Sequence, residues 1–293
     1  MPGDAAALHV SRRPASRGNE NPLALLRRRR VDAVIMYALL VLLALWWVFP
    51  MVTVLAQSVK VGGLGNYLSV LTKDINGVRL PQTFLNSMAV ALLHAVLVCG
   101  AGVLAGYAFS RIQFRGRTVL FYSAIALLAV PATSIIVPVY YITGRLGLFN
   151  SLVGVALPEA ALTLPFAVLM LRNFGIGIPN SFFESASLDG AGHWRMFTLL
   201  YLPIARPVVI NLGSLCVMWS LQDFIFPSIL LRDPGMNTAA QAVQTIKSAF
   251  GPTPEQTSQY FAALVLLAVP ALLLIVFGLR WMAAGLTAGG IKE

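Results

Sequence analysis

Residues 179–207, PNSFFESASLDGAGHWRMFTLLYLPIARP, form a polar interruption between two long apolar runs. Ser181 and Glu184 have the Ser-x-x-Glu spacing of a capping box, which predicts that a short helix begins here. The residues that follow favour a turn: Asp189, Gly190 and Gly192. The stretch therefore opens with a capped helix and a turn, where two apolar runs could have been joined by a featureless loop.

A second helix is predicted after the turn. Its apolar residues recur at helical spacing, at Trp194, Phe197, Leu200 and Tyr201. Pro203 is predicted to end this helix, because proline lacks the amide hydrogen that a helix interior requires. A helix–turn–helix held between apolar runs is expected to lie at a membrane surface and to bind another protein.

The composition is that of an integral membrane protein. Hydrophobic residues make up 58% of the 293 residues and charged residues 11%, against about a quarter in soluble domains. The mean hydropathy of +0.78 agrees. The net charge of +10 does not indicate nucleic-acid binding, because seven of the 21 basic residues precede the first apolar run. Cys99 and Cys216 lie inside apolar runs and are interpreted as small core residues.

The chain is predicted to be an all-α protein in three parts. Residues 1–31 form a basic, disordered segment whose arginines contact lipid headgroups. Residues 32–283 form a transmembrane domain, and residues 284–293 a cytoplasmic tail. Apolar runs predict six spans of about 20 residues or more; they cover residues 34–55, 84–109, 118–141, 152–171, 207–231 and 260–282.

Basic residues set the predicted orientation. With the N-terminus in the cytoplasm, the inner segments hold 15 lysines and arginines and the outer segments hold six. The positive-inside rule then places both termini and the loop of residues 173–206 in the cytoplasm. The loop of residues 232–259 lies outside. Prolines in the spans are expected to bend or break their helices: Pro50, Pro131, Pro138, Pro165, Pro227 and Pro270. Gly102 and Gly106 predict a close helix–helix contact.

Few polar residues lie within the predicted spans, and each could have one of two roles. His94 is either a proton relay or, more commonly for a lone histidine, a hydrogen bond between helices. A second group suits the lining of a path for a polyol or serves helix contacts instead: Asn86, Trp219, Gln222, Asp223 and Phe224. Glu159 and Asp233 are predicted near the outer membrane edges without an acid–base partner.

The sequence carries no signature of a catalytic or nucleotide-binding site. It has no Gly-x-x-x-x-Gly-Lys-Ser/Thr phosphate loop, so ATP chemistry would have to come from another chain. It also lacks His-Glu-x-x-His, Cys-x-x-Cys and Gly-x-Ser-x-Gly patterns, and no metal site is predicted.

Residues 184–203 resemble the EAA signature of binding-protein-dependent ABC importer permeases. That pattern is Glu-Ala-Ala, three residues, Gly, nine residues, Ile, one residue, Leu-Pro. The chain keeps the full spacing, with Ser185 and Leu200 as departures; the matching residues are Glu184, Ala186, Gly190, Leu202 and Pro203.

Further segments resemble one branch of that family, the second permease subunit of maltose-type carbohydrate importers. They include Tyr107-Ala108-Phe109-Ser110-Arg111 and the tail Gly285-Leu286-Thr287-Ala288-Gly289-Gly290-Ile291-Lys292. Arg280-Trp281-Met282 departs from the Gln-Arg-Tyr that the branch more often has. The likeness runs from residue 34 to the C-terminus.

The resemblance implies a type I importer permease in a bacterial inner membrane. The coupling residues would be Glu184, Ser185, Ala186, Asp189, Gly190, Ala191, Leu202 and Pro203, and the tail residues Thr287, Ala288, Gly289 and Gly290 would contact the ATPases. The implied partners are a second permease subunit, two ABC ATPase subunits that hold ATP and magnesium, and an extracytoplasmic sugar-binding protein. The chain itself would bind no cofactor.

Two alternatives remain open at this point. The same architecture could import glycerol phosphate or another small polar solute. A self-sufficient secondary carrier is the other possibility, but it would favour inverted repeats and ionisable groups in the spans, which are not evident.

Overall fold

A computed structural model describes the backbone of residues 30–288 and, apart from residue 271, the side chains of residues 33–273. Most of the predicted N-terminal segment lies outside the described residues, as do Gly289 and Gly290. The chain divides into two compact units, residues 1–53 and 54–293.

The described part of the first unit is helical. Helix α1, Arg30–Val59, contains the first predicted span and remains continuous through Pro50. Between residues 33 and 53 most of its side chains are apolar and exposed, including Trp46 and Trp47. A helix of this length and composition can cross a bilayer core.

The second unit is also helical, and the described residues form no strand beyond an isolated bridge between Ile75 and Val78. Its helices are α2 (Gly65–Thr72), α3 (Leu80–Arg111), α4 (Arg117–Ala126), α5 (Ile136–Arg145), α6 (Leu152–Gly177), α7 (Asn180–Leu188), α8 (His193–Met196), α9 (Leu202–Gln222), α10 (Ile225–Leu230), α11 (Ala239–Ala249) and α12 (Pro254–Ala288).

Helices α3 and α6 form the centre of this unit, and two glycines set their separation. A Cβ atom at Gly106 would lie 2.5 Å from Leu171 Cβ, and one at Gly102 would lie 2.9 Å from Ala167 Cβ. The predicted close contact through Gly102 and Gly106 is therefore confirmed. Helix α9 packs against both α3 and α6 and completes the largest apolar core.

The third predicted span, residues 118–141, is not one straight helix. Helical segments Arg117–Ala129 and Ala132–Arg145 meet at an angle of 99°. Pro131 lies at the break with an extended backbone, where its missing amide hydrogen interrupts the helix. Pro165 and Pro270, by contrast, lie inside helices that continue past them.

The helix that contains the fifth predicted span, residues 207–231, begins earlier than predicted and also ends earlier. A continuous helix runs from His193 to Gln222 over 30 residues. The chain then leaves the helix at Asp223, and α10 begins at Ile225. The break separates residues that had been predicted to form a single span.

Four helices of the described residues are long and apolar enough to cross a membrane, or five if the bent pair counts as one span. The prediction had been six. The remaining predicted span, residues 260–282, lies in α12, a helix of 35 residues. Most side chains in the second half of α12 lie outside the described residues.

Candidate functional site

Helix α7 begins differently from the prediction. It starts at Asn180 with Pro179 in the N-cap position, and no side chain caps it. The capping box predicted between Ser181 and Glu184 is therefore wrong, because both residues already lie within the helix. The exposed side chain of Asn180 instead accepts a hydrogen bond from Arg111.

The predicted turn after α7 is confirmed. Gly190 has a φ of 76°, in the left-handed region that favours glycine. The amide of Ala191 donates to the carbonyl of Ala186 at 2.9 Å, and that of Gly190 donates to Ser187 at 3.0 Å. These two bonds form a Schellman motif, which satisfies carbonyl groups at the end of the helix.

Pro203 does not end the second helix, contrary to the prediction. Residues Phe197–Tyr201 form a π-helical turn, and the amide of Leu202 bonds to the carbonyl of Phe197, five residues earlier. The wider turn changes the hydrogen-bond pattern just before Pro203, so its missing amide hydrogen does not interrupt the helix. As a result, α8, the π turn and α9 form one continuous helix.

The aromatic residues of this helix divide between core and surface. Phe197 and Tyr201 are buried, and their rings pack with Tyr107 of α3. The hydroxyl of Tyr201 donates to the carbonyl of Leu171 in α6 at 2.9 Å. Trp194, in contrast, is 70% exposed.

Arg111, the last residue of α3, holds the start of α7 in place. Its guanidinium lies 4.0 Å from the centre of the Phe183 ring. It donates hydrogen bonds to the carbonyls of Gly175 and Ile178 and to the side chain of Asn180. One side chain therefore joins α3, the end of α6 and α7. Sequence reasoning had noted Arg111 within a family-like segment but had assigned it no role.

The loop presents apolar and acidic side chains together at the surface. Leu188 is 89% exposed, and Phe182 and Trp194 are also exposed. Glu184 and Asp189 are exposed among them. Of the other predicted coupling residues, Ala186 and Ala191 are half-buried against the core, and four are exposed: Ser185, Gly190, Leu202 and Pro203. This mixture is typical of a surface that binds another protein.

Four of the five candidate path residues lie together at the end of α9. Trp219, Gln222 and Phe224 are exposed. The ring of Trp219 contacts that of Phe166 in α6, with centroids 5.4 Å apart. The half-buried Asp223 accepts a hydrogen bond from the amide of Ile225, the first residue of α10, at 2.9 Å. Phe166 was not predicted as a site residue, because Trp219, whose ring it contacts, is distant in the sequence.

Asn86, the fifth candidate, lies elsewhere. It is 3% exposed, and its amide group donates to the carbonyls of Gly235 and Asn237, both at 3.0 Å. Its oxygen accepts from Gln82 at 2.9 Å. Asn86 therefore holds the loop of residues 232–259 on α3, and in this structure it has no free surface for a substrate.

Glu159 has a partner, contrary to the prediction. It is 6% exposed inside α6, and its Oε2 atom lies 3.5 Å from Nδ1 of His94 in α3. The sequence did not indicate this partner because His94 lies on another helix, far from Glu159 along the chain.

Comparison with known proteins identifies the family. Residues 98–287 match the family described as "Binding-protein-dependent transport system inner membrane component". The chain belongs to this family. The match covers more than half of the chain and includes α7, the π turn and the break at Asp223.

Similar permeases support the assignment. The chain is 31% identical to the osmoprotective compounds uptake permease GgtD of Synechocystis, over 78% of this chain and 75% of that one. It is 30% identical to the diacetylchitobiose uptake permease NgcG of Streptomyces coelicolor, over 89% of each. The chain is 26% identical to the trehalose permease SugB of Mycobacterium tuberculosis, over 88% of this chain and 94% of that one.

A solved structure shares the fold. A chain of a bacterial ABC transporter that imports the acidic polysaccharide alginate has a TM-score of 0.71 and 20% identity, covering 87% of this chain and 97% of that chain. The type I importer permease fold expected from the sequence is thereby confirmed. The family is one of inner-membrane transport components, and the membrane localisation follows from it.

Proposed function

We propose that this chain forms half of the pathway of an ATP-driven importer for mono- or oligosaccharides. A separate binding protein delivers the sugar, and separate ATPase subunits bind the coupling loop. The observation that carries this proposal is the continuous helix His193–Gln222, which begins in the exposed loop and ends at the candidate path. Movement of the loop is therefore transmitted directly to Trp219 and Asp223.

The proposed arrangement has six spans with both termini in the cytoplasm. The excess of basic residues in the predicted inner segments supports it. In this orientation the surface that includes Glu184, Leu188 and Trp194 faces the ATPase subunits. The carboxylates of Glu184 and Asp189 can pair with cationic groups of a partner, while the exposed apolar side chains supply buried area. The segment Thr287 to Gly290, which begins at the C-terminal end of α12, is proposed to reach the same subunits.

The saccharide assignment rests on relatives and on site chemistry. Similar permeases are named for diacetylchitobiose and trehalose. An exposed indole can stack on the C–H face of a sugar ring, and the nearby Gln222 can bind hydroxyl groups. Trp219→Ala is expected to raise the KM for uptake, whereas Trp219→Phe retains most of the affinity.

The test is uptake of labelled saccharide by proteoliposomes that contain the complete transporter. Glu184→Lys reverses a charge on the proposed ATPase-binding surface. We expect the variant to insert normally, to lose uptake and to lose the stimulation of ATP hydrolysis by the loaded binding protein. Asp74→Lys makes the same charge change at an exposed site outside the loop and serves as the control. Normal uptake by the Glu184 variant would overturn the proposal.

The same proteoliposomes can be used to test two other functions. One similar permease is named for osmoprotective compounds, which keeps small polar solutes as an alternative cargo. Competition by unlabelled saccharide, glycerol phosphate or small osmolytes separates these cargoes. Uptake by this chain alone, without ATPase subunits, would instead identify a self-sufficient carrier.

A further inference from the structure

Five buried polar atoms without a hydrogen-bond partner gather where α3, α6 and α9 meet. They are Nδ1 of His94, both carboxyl oxygens of Glu159, Oγ of Ser220 and Oδ2 of Asp223. His94 and Glu159 are 1% and 6% exposed. No arginine or lysine in the described part of the chain pairs with either carboxyl group. Buried polar atoms are rarely left unpaired in this way, so the group requires an explanation.

Hydrogen bonds around His94 determine which of its nitrogens carries a proton. The hydroxyl of Thr163 donates to the backbone carbonyl of Glu159 at 2.8 Å. With the hydroxyl hydrogen directed at that carbonyl, the Thr163 oxygen accepts the 2.6 Å hydrogen bond from Nε2 of His94. A neutral imidazole protonated on Nε2 has a lone pair on Nδ1, and that atom faces Oε2 of Glu159 at 3.5 Å.

Two facing acceptors repel each other unless a proton lies on one of them. An ionised Glu159 carboxylate beside a neutral imidazole would also be costly, since a charge buried among apolar helices loses its hydration. The second carboxyl group, Asp223, faces Glu159 from the end of α9 and adds to this cost. Each of these contacts favours one proton held between His94 and Glu159.

The four side chains belong to elements that can move differently. His94 and Glu159 lie on α3 and α6, which Gly102 and Gly106 hold in close contact. Ser220 lies on the helix His193–Gln222, and Asp223 follows its last residue. Movement of that helix changes how closely the hydroxyl and the second carboxyl approach Glu159, and so changes the affinity of the pair for its proton.

We propose that His94 and Glu159 form a binding site for one proton, which the transporter exchanges with solution as the helix His193–Gln222 moves. The existence of the site rests on the local geometry alone. The link to helix movement rests on the proposed function, and the two parts are tested separately.

The first test measures the thermal unfolding midpoint of the purified transporter as a function of pH. A proton held in the native state and lost on unfolding makes stability fall as pH rises. We expect the wild-type midpoint to fall by about 3 °C per pH unit while the native site holds a proton that the unfolded chain has lost, and to level off once the native site ionises. Glu159→Gln mimics the protonated side chain and should remove this fall. Asp74→Asn, which neutralises an exposed carboxylate beside Arg79, should retain it.

Identical pH dependence in the wild type and in Glu159→Gln would overturn the proton site. If the glutamine variant fails to assemble, Asp223→Asn provides a second test of the proton site. Removing the second carboxyl makes ionisation of Glu159 easier, so the fall in the midpoint should level off at a lower pH. An unshifted curve for that variant would also contradict the proposal.

The second test measures proton exchange during the transport cycle. The transporter is trapped with nucleotide and vanadate in weakly buffered detergent containing a pH indicator. Hydrolysis of ATP releases protons in every variant, so the readout is the difference between variants: wild type and Asp74→Asn should exchange up to about one proton per transporter more than Glu159→Gln does. Equal signals in the wild type and the glutamine variant would overturn the link to helix movement. Failure of the wild type to trap nucleotide would count against the proposed function, while the melting curves still decide the proton site.

Discussion

The guanidinium of Arg111 lies 4.0 Å from the centre of the Phe183 ring, so the end of α3 is fixed to the first helix of the loop. The same side chain bonds to the last carbonyl groups of α6. Arg111 therefore positions the loop relative to the two helices that form the centre of the domain. A loop held in this way moves with the domain, as transmission of force from a partner requires.

Arg111→Lys should retain the positive charge but lose most of this connection. A lysine cannot bridge three acceptors and stack on a ring with the planar geometry of a guanidinium. We expect a loss of about 2 kcal/mol in stability and a partial loss of coupling between ATP hydrolysis and uptake. Both are measured in the reconstituted transporter. Arg115→Lys, at an exposed neighbouring site, should change neither, and equal effects of the two substitutions would argue against the positioning role.

Gly106→Ala should destabilise the contact between α3 and α6. The added Cβ would lie 2.5 Å from Leu171 Cβ, so the helices must separate, at a cost of about 1–3 kcal/mol. Gly100→Ala on the same helix meets nothing within 4 Å and should be neutral or slightly stabilising. The measurement is the thermal midpoint in detergent. Similar midpoints for the two variants would contradict the close packing at Gly106.

Gly190→Ala should weaken the turn of the loop without any steric clash. Nothing lies within 4 Å of the added Cβ, but the φ of 76° is unfavourable for alanine by about 1 kcal/mol. Gly192→Ala also has open space and has a φ of −73°, so it isolates the effect of backbone conformation. We expect reduced coupling only in the Gly190 variant, measured as binding-protein-stimulated ATP hydrolysis. An equal loss in both variants would show that the backbone angle is not the cause.

Asn86→Ala should release the loop of residues 232–259 from α3. The substitution removes two hydrogen bonds to backbone carbonyls and leaves those groups without a partner. Limited proteolysis of the loop should become faster, while the KM for a saccharide supplied at saturating binding protein should change little. Gln82→Ala removes only one bond to Asn86 and should have a weaker effect. A rise in KM with no change in proteolysis would instead place Asn86 on the substrate path.

Local patterns in the sequence predicted much of this fold. Apolar runs located the long helices, the Gly102–Gly106 spacing predicted a close helix contact, and Gly190 predicted the turn. Each of these depends on residues near one another in the chain. The break at Pro131 could also be predicted from the sequence, since the absence of an amide hydrogen is a local property of proline.

Predictions failed where a distant contact determined the outcome. The capping box was not formed because Arg111, about 70 residues earlier in the chain, orders the start of α7 through Asn180. Glu159 was predicted to have no acid–base partner because His94 lies on another helix. Pro203 did not end its helix because a π turn precedes it, and no simple sequence pattern predicts such a turn.

The π turn also affects how the chain can vary in length. A π turn can be regarded as an α-helix with one inserted residue, and each residue of an α-helix rotates the chain by about 100°. Deleting one residue within Phe197–Tyr201 would restore a regular helix and leave the helix faces on either side unchanged. The same deletion within α9 would rotate the candidate path residues Trp219 and Gln222 away from their present direction. Insertions and deletions in this region should therefore be tolerated at the π turn and nowhere else between His193 and Gln222.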